Sequence, residues 1–119
     1  MKRNLFTEEE IILCTYAAMY DANDFGGSNE ICKVHSRKKT SIDMKIRNIA
    51  TMLDEKGVPR YNKKISPLTG LPSGEEGRTT NWDIIKELYP LDKAEFLNKC
   101  KMVIKNTKNS KKLLQNAQK

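Results

Sequence analysis

The chain has little from which a catalytic or metal centre could be assembled. It contains a single histidine, His35, and three cysteines without a CxxC pair, whereas protein metal sites usually combine several imidazoles or thiolates. No glycine-rich phosphate loop followed by Lys and Ser or Thr occurs, and no serine lies in a nucleophile elbow. We therefore expect a protein that is not an enzyme and that requires neither a metal nor another cofactor.

The sequence also lacks signals for membrane insertion or export. No apolar run approaches the roughly 18 residues of a membrane span, and the first residues lack the continuous apolar segment of a secretory signal. The cysteines are odd in number, and Cys14 and Cys32 fall at positions that look core-facing, which favours reduced structural thiols over disulfides. We expect a cytoplasmic protein without a membrane partner.

Positive charge is what the chain has in excess. It carries 22 Lys and Arg against 15 Asp and Glu, a formal net charge of +7, which is typical of proteins with a polyanionic partner but also of basic proteins that bind nothing specific. Beyond Glu95 there is no further acidic residue. That basic stretch would raise nonspecific affinity for nucleic acid, and a solubilising surface explains it equally well.

Two short helices are predicted in the first part of the chain. The first should run from about residue 7 to 20, because Thr7 and Glu10 form a capping box at its start. Two glycines and then Ser28, a favoured N-cap residue, separate it from a second helix at about 29–35. The first helix carries its apolar stripe at helical spacing, with Ile12, Leu13, Tyr16, Ala17, Met19 and Tyr20.

A third helix follows a four-residue turn at 36–39. Thr40 with Asp43 approximates a second capping box, and the helix should end before Gly57. Two helices joined by such a turn form a helix-turn-helix pair. The apolar face of the third helix consists of Ile42, Ile46, Ile49, Ala50 and Leu53.

The fold class predicted from this pattern is all-α. Residues 1–56 form a three-helix, Myb-like helix-turn-helix head, and residues 57–79 form a long Gly/Pro-rich loop. Residues 80–106 provide one or two further helices that pack on the head. The first of these helices begins with an approximate capping box of Thr80 and Asp83 and is anchored by the single Trp. Pro90 ends this helix early. Residues 107–119 form a basic, disordered tail.

The third helix provides the candidate nucleic-acid site. Steps of 100° per residue place its polar side chains opposite the apolar face, where Asn and Arg can bond base edges and Lys, Ser and Thr commonly bond phosphates. An ordinary solvated helix face explains the same residues. The predicted nucleic-acid-binding residues are Arg37, Lys38, Lys39, Ser41, Met44, Lys45, Arg47, Asn48 and Thr51.

Part of the chain resembles a known family. Phe6 and Thr7 followed by three Glu, then Arg37 and the run at 41–50, resemble the helical module attached to certain HNH-type restriction endonucleases. More loosely, the chain is similar to Myb and SANT domains. The resemblance spans about 6–90 and implies DNA binding by a stand-alone module, since the nuclease part with its several histidines is missing. The positions shared with the HNH-associated module are Met44, Lys45, Asn48 and Ala50, with Trp82 near another frequent Trp.

Two functions of different classes are therefore expected. The leading one is a non-catalytic protein that binds double-stranded DNA, with the third helix in the major groove and flanking Lys and Arg on phosphates. The alternative is a protein-binding module, such as a phage-encoded inhibitor of a bacterial nucleic-acid defence enzyme or a subunit of a nuclease or defence complex. Three-helix scaffolds serve both purposes. The sequence is compatible with a homodimer, but its periodicity does not specify one.

Overall fold

The chain is all-helical wherever its structure is described, as the sequence predicted. The computed structural model describes the backbone of residues 6–61 and 81–117. No helix in these ranges is both long and apolar enough to cross a membrane. The helices are α1 (Glu8–Met19), a short 3₁₀ helix (Ala22–Phe25), α2 (Ser28–Val34), α3 (Lys39–Glu55), α4 (Trp82–Leu88) and α5 (Lys93–Ala117).

Helix α1 lies at the centre of the molecule. It packs against α2, α3, α4 and α5, and every residue from Glu10 to Met19 is buried. The sequence predicted that only one face of this helix is buried, and this was wrong, because Ile11, Cys14 and Ala18 are fully buried as well. A helix that is apolar on all sides is stable only when other elements surround it, and α1 has this composition after its acidic first turn.

The predicted capping box of α1 is confirmed. The Glu10 backbone N–H donates to Thr7 Oγ1 at 3.3 Å, and the Thr7 backbone N–H donates to Glu10 Oε1 at 2.9 Å. The predicted starts of α2 and α3 were wrong. Ser28 is the first residue of α2 rather than its N-cap, and α3 begins before Thr40. Both helices start without a capping bond from a side chain.

Helices α2 and α3 end in the same backbone motif. After α2, Ser36 adopts the left-handed conformation with φ of 54°, and the Arg37 N–H donates to the Cys32 carbonyl at 2.9 Å. After α3, Gly57 has φ of 74°, and the Val58 N–H donates to the Leu53 carbonyl at 2.9 Å. Both are Schellman endings, in which glycine is the preferred left-handed residue.

We expect Ser36→Gly to raise the free energy of unfolding by about 0.5–1 kcal/mol. A left-handed conformation costs a residue with a Cβ roughly 1–2 kcal/mol, and the extra unfolded-state freedom of glycine offsets only part of this gain. Urea unfolding followed by circular dichroism measures the change. The matched control is Gly57→Ser at the corresponding position of α3, where an added Cβ would meet no atom within 4 Å and a similar loss is expected. A loss of stability in Ser36→Gly would contradict the prediction.

Helix α5 is part of the core and is longer than the sequence predicted. Phe96 and Cys100 are fully buried, and the Phe96 ring meets the Tyr16 ring edge-on, with centroids 5.2 Å apart. The helix continues to Ala117, although a disordered tail was predicted from residue 107. Thr107 lies inside this helix, and its hydroxyl donates to the Val103 carbonyl at 2.9 Å. Most of the predicted loop at 57–79 lies outside the described residues, and so does Thr80, which was predicted to begin the capping box of α4. The residue before α4 is Asn81, which has φ of 69°.

Candidate nucleic-acid interface

The first two turns of α3 form an exposed surface with basic residues. Lys38, Lys39 and Thr40 are exposed, Met44 is 53% exposed, and Ser41 is half-buried. We call these five residues the basic α3 surface. The acidic residue Asp43 is also exposed on this half of the helix, so the surface is mixed in charge with an excess of lysine.

The backbone at the start of α3 adds to the positive potential of this surface. The N-cap residue is Lys38, no side chain caps the first turn, and that turn contains no acidic residue. The free N–H groups of a helix start together carry about half a positive charge. Backbone N–H groups next to two lysines can therefore bind a phosphate or another anion.

Lys45 was predicted to lie beside the solvent face of α3, but it is buried. Its side chain is 7% exposed and donates from Nζ to Asn81 Oδ1 at 2.8 Å. The same ammonium lies 5.4 Å from the centre of the Phe6 ring. Burial lowers the pKa of Lys45 from its ordinary value. The predicted exposure was wrong because Asn81 and Phe6, which are distant in sequence, cover this side of the helix.

The second half of α3 offers less surface than predicted. Thr51 was placed opposite the apolar face, yet it is 4% exposed and its hydroxyl donates to the Arg47 carbonyl at 2.9 Å. Arg47 and Asn48 are half-buried. The predicted solvent exposure of Thr51 was therefore wrong, and the accessible part of the candidate site lies in the first two turns.

Arg37 was predicted to hold phosphates, but its guanidinium is bonded within the protein. Nε and Nη2 donate to the two carboxylate oxygens of Glu10, with the Nη2 bond at 2.9 Å. The guanidinium carbon lies 4.1 Å from the centre of the Phe6 ring. The Glu10 side chain is fully buried, and that of Arg37 is 9% exposed. This Glu10–Arg37 pair connects the start of α1 to the turn before α3.

The Glu10 carboxylate is held in its charged form despite its burial. Burial alone would raise its pKa, but the hydrogen bonds from Arg37 and from the Thr7 backbone hold the pKa below its ordinary value. Sequence reasoning assigned Glu10 to the capping box and missed the pair. One signal was present: Arg37 is the arginine of a turn otherwise rich in lysine, and arginine is preferred where a buried carboxylate needs two parallel bonds.

The cysteines belong to the packing of the molecule. Cys14 and Cys100 are fully buried and Cys32 is half-buried, and all three are free thiols. Burial raises the pKa of Cys100 to about 12 and that of Cys14 further, which makes both thiols poor nucleophiles. Among the described residues, no group of His, Cys, Asp and Glu side chains is arranged to hold a metal ion.

Comparison with known proteins leaves the assignment at the level of fold class. The described residues define an all-helical protein in which α1 is enclosed by four other helices. No protein-family model matches the chain, and neither a search of curated proteins nor a search of solved structures found a match. The resemblance to the HNH-associated module and to Myb and SANT domains thus stays a prediction.

Proposed function

We propose that the chain is a non-catalytic protein that binds double-stranded DNA through the basic α3 surface. In this proposal α2 and α3 act as a helix-turn-helix pair, and the first two turns of α3 enter the major groove, as the start of a recognition helix does. One observation carries the proposal: the start of α3 combines exposed Lys38 and Lys39 with backbone N–H groups that no side chain caps.

The residues of the basic α3 surface have different roles in DNA binding. Lys38 and Lys39 hold phosphates beside the groove. Ser41 and Met44 face the base edges, where a hydroxyl can bond either kind of edge and an apolar group can contact a thymine methyl. Arg47 and Asn48 border this surface.

Arg37 and Lys45, which were predicted to bind nucleic acid, instead hold α3 in place by bonds inside the protein. The Arg37 side chain fixes the turn before α3 through Glu10, and the Lys45 side chain joins α3 to Asn81 at the start of α4. Both orient α3 without touching DNA. Thr51 has no role in the proposal because of its burial.

The proposal predicts that Lys38→Gln with Lys39→Gln weakens binding to duplex DNA by roughly tenfold or more at low salt. Each lysine that holds a phosphate releases one counterion, so the slope of log affinity against log salt should fall by about two. Fluorescence anisotropy with a labelled duplex at a series of salt concentrations measures both quantities.

The matched control removes the same charge elsewhere. Lys86 on α4 and Lys99 on α5 are exposed and lie outside the basic α3 surface, so Lys86→Gln with Lys99→Gln should retain most of the affinity. Equal losses in the two double variants would mean that net charge alone causes binding. No duplex binding by the unaltered protein at low salt would reject the proposal.

A protein partner is the second candidate function, and one observation favours it. Met44 and Met102 are large apolar side chains that are 53% and 50% exposed, and flexible methionines are common on surfaces that bind other proteins. A projecting apolar edge formed by Arg60, Tyr61 and residues 68–71 would also favour a protein partner, but residues 68–71 lie outside the described residues. A partner that stays bound after nuclease treatment, together with absent duplex binding, would favour this candidate.

A further inference from the structure

A concave site lies at the opposite end of α3 from the basic α3 surface. It is a cleft of about 500 Å³, within the usual size range of sites for small molecules. Its walls come from the end of α1, the segment after α3 and the connection between α4 and α5. The lining residues are Met19, Tyr20, Lys56, Gly57, Val58, Pro59, Tyr61, Tyr89, Pro90, Leu91, Asp92 and Lys93.

Three tyrosines give this cleft flat aromatic walls. The Tyr61 ring lies parallel to the Tyr20 ring, with centroids 5.4 Å apart and an interplanar angle of 5°. Tyr61 is nevertheless 64% exposed. On the other side, the Tyr89 ring stacks on the Trp82 ring with centroids 5.7 Å apart. Planar ligand groups stack well on such exposed aromatic faces.

The exposed tyrosine is held in place by the backbone around it. The Tyr61 N–H donates to the Met19 carbonyl at 2.7 Å. One residue earlier, the Arg60 guanidinium donates to both carboxylate oxygens of Asp54, at 2.8 and 2.9 Å. A fixed aromatic ring loses little conformational entropy when a ligand binds. The bonds around Tyr61 therefore fix its exposed ring at the cleft.

The charges of the lining residues indicate whether the ligand is a cation or an anion. Aromatic walls could accept either an organic cation or a planar anion. The lining contains the ammonium groups of Lys56 and Lys93 against the single carboxylate of Asp92. Lys93 also lies 3.8 Å from Asp24, but its side chain is 59% exposed, so that pair is weak. The excess of positive charge disfavours a cation and favours an anionic ligand.

We propose that this cleft binds a nucleoside phosphate, with the base stacked on Tyr61 and the phosphates bonded by Lys56 and Lys93. The aromatic walls account for the base, and the two ammonium groups account for the phosphates. A free nucleotide and an unpaired nucleotide of a single strand present the same chemistry. The site is separate from the basic α3 surface and does not depend on duplex binding there.

The test titrates ADP, and in a second arm a short single-stranded oligonucleotide, into the full chain by isothermal titration calorimetry. Trp82 is the single tryptophan and contacts Tyr89 and Lys56, so its fluorescence should change upon binding. We expect Tyr61→Ala to weaken binding about tenfold, because stacking supplies much of the affinity for a base. Lys93→Gln should weaken binding severalfold, and the matched control Lys86→Gln, which lies outside the cleft, should not.

The outcomes separate the sources of the ligand and the two sites. ADP binding alone identifies a free nucleotide, and stronger binding of the oligonucleotide identifies an unpaired nucleotide in a strand. Binding of neither probe would overturn the inference, and so would pyrophosphate binding as tightly as ADP with no effect of Tyr61→Ala. Duplex binding should be unchanged in Tyr61→Ala, so failure at one site is distinguishable from failure at the other.

Discussion

Replacing Arg37 with alanine is expected to lower the free energy of unfolding by about 3–5 kcal/mol. The substitution leaves the Glu10 carboxylate, which is fully buried, without the guanidinium that compensates its charge. It also removes the contact of the guanidinium with the Phe6 ring. Urea unfolding at neutral pH, followed by circular dichroism, measures the loss.

Two comparisons isolate the buried pair as the cause. Lys33→Ala breaks an ion pair with Glu30 in which the lysine side chain is 66% exposed, and it should cost no more than about 1 kcal/mol. Arg37→Lys keeps the charge but cannot make two parallel bonds, so its loss should lie in between. If Arg37→Ala were no less stable than Lys33→Ala, Glu10 would be compensated by other groups.

The same pair predicts how stability depends on pH. The folded-state pKa of Glu10 is below the ordinary value of 4.5, so its stabilising contribution is complete above that value and is lost as pH falls through the folded-state pKa. Without Arg37 the effect of burial, which raises the pKa of Glu10, predominates. Lowering the pH should therefore neutralise the buried charge of Glu10 in Arg37→Ala, so the difference in urea midpoint between Arg37→Ala and the unaltered protein should narrow as pH falls.

Phe96→Ala is expected to lower the free energy of unfolding by a similar amount, about 3–5 kcal/mol. The Phe96 ring is fully buried and packs edge-on against Tyr16 at the centre of α1. Its removal leaves a cavity between α1 and α5. The expected result is a single cooperative unfolding transition at lower urea concentration, because α5 shares the core with the other helices.

The control for Phe96→Ala lies on the same helix. Met102 is 50% exposed, so Met102→Ala should change stability by less than about 1 kcal/mol. If Phe96→Ala melted α5 while the rest of the chain kept its midpoint, α5 would be an appendage to an independent three-helix head. The packing of α1 argues for one cooperative unit instead.

The Glu10–Arg37 pair also changes how DNA-binding experiments should be designed. A variant of Arg37 or Lys45 that loses DNA binding would suggest direct contact, yet both side chains hold α3 in place from within. Substitutions of Lys38 and Lys39 in the basic α3 surface avoid this ambiguity, because both side chains are exposed. The free energy of unfolding should be measured for every variant before its affinity is interpreted.

Features that depend on neighbouring residues were predictable from the sequence. The capping box of Thr7 and Glu10, the end of α3 before Gly57 and the end of α4 before Pro90 all follow from local backbone chemistry. The approximate capping box predicted at Thr40 is nevertheless not the start of α3. The N-cap of α3 is Lys38, two residues before Thr40, and the turn after α2 closes through Ser36 in a left-handed conformation.

The sequence by itself determined the helical class of the described residues, the approximate bounds of α1 to α4 and the excess of lysine, since periodicity, capping and composition act over a few residues. Only the tertiary structure decided which polar side chains reach solvent. Glu10 and Arg37 are 27 positions apart, and Lys45 and Asn81 are 36 apart. A polar side chain on a helix is accessible unless another segment covers it, and the covering segment is brought there by the packing of the whole chain.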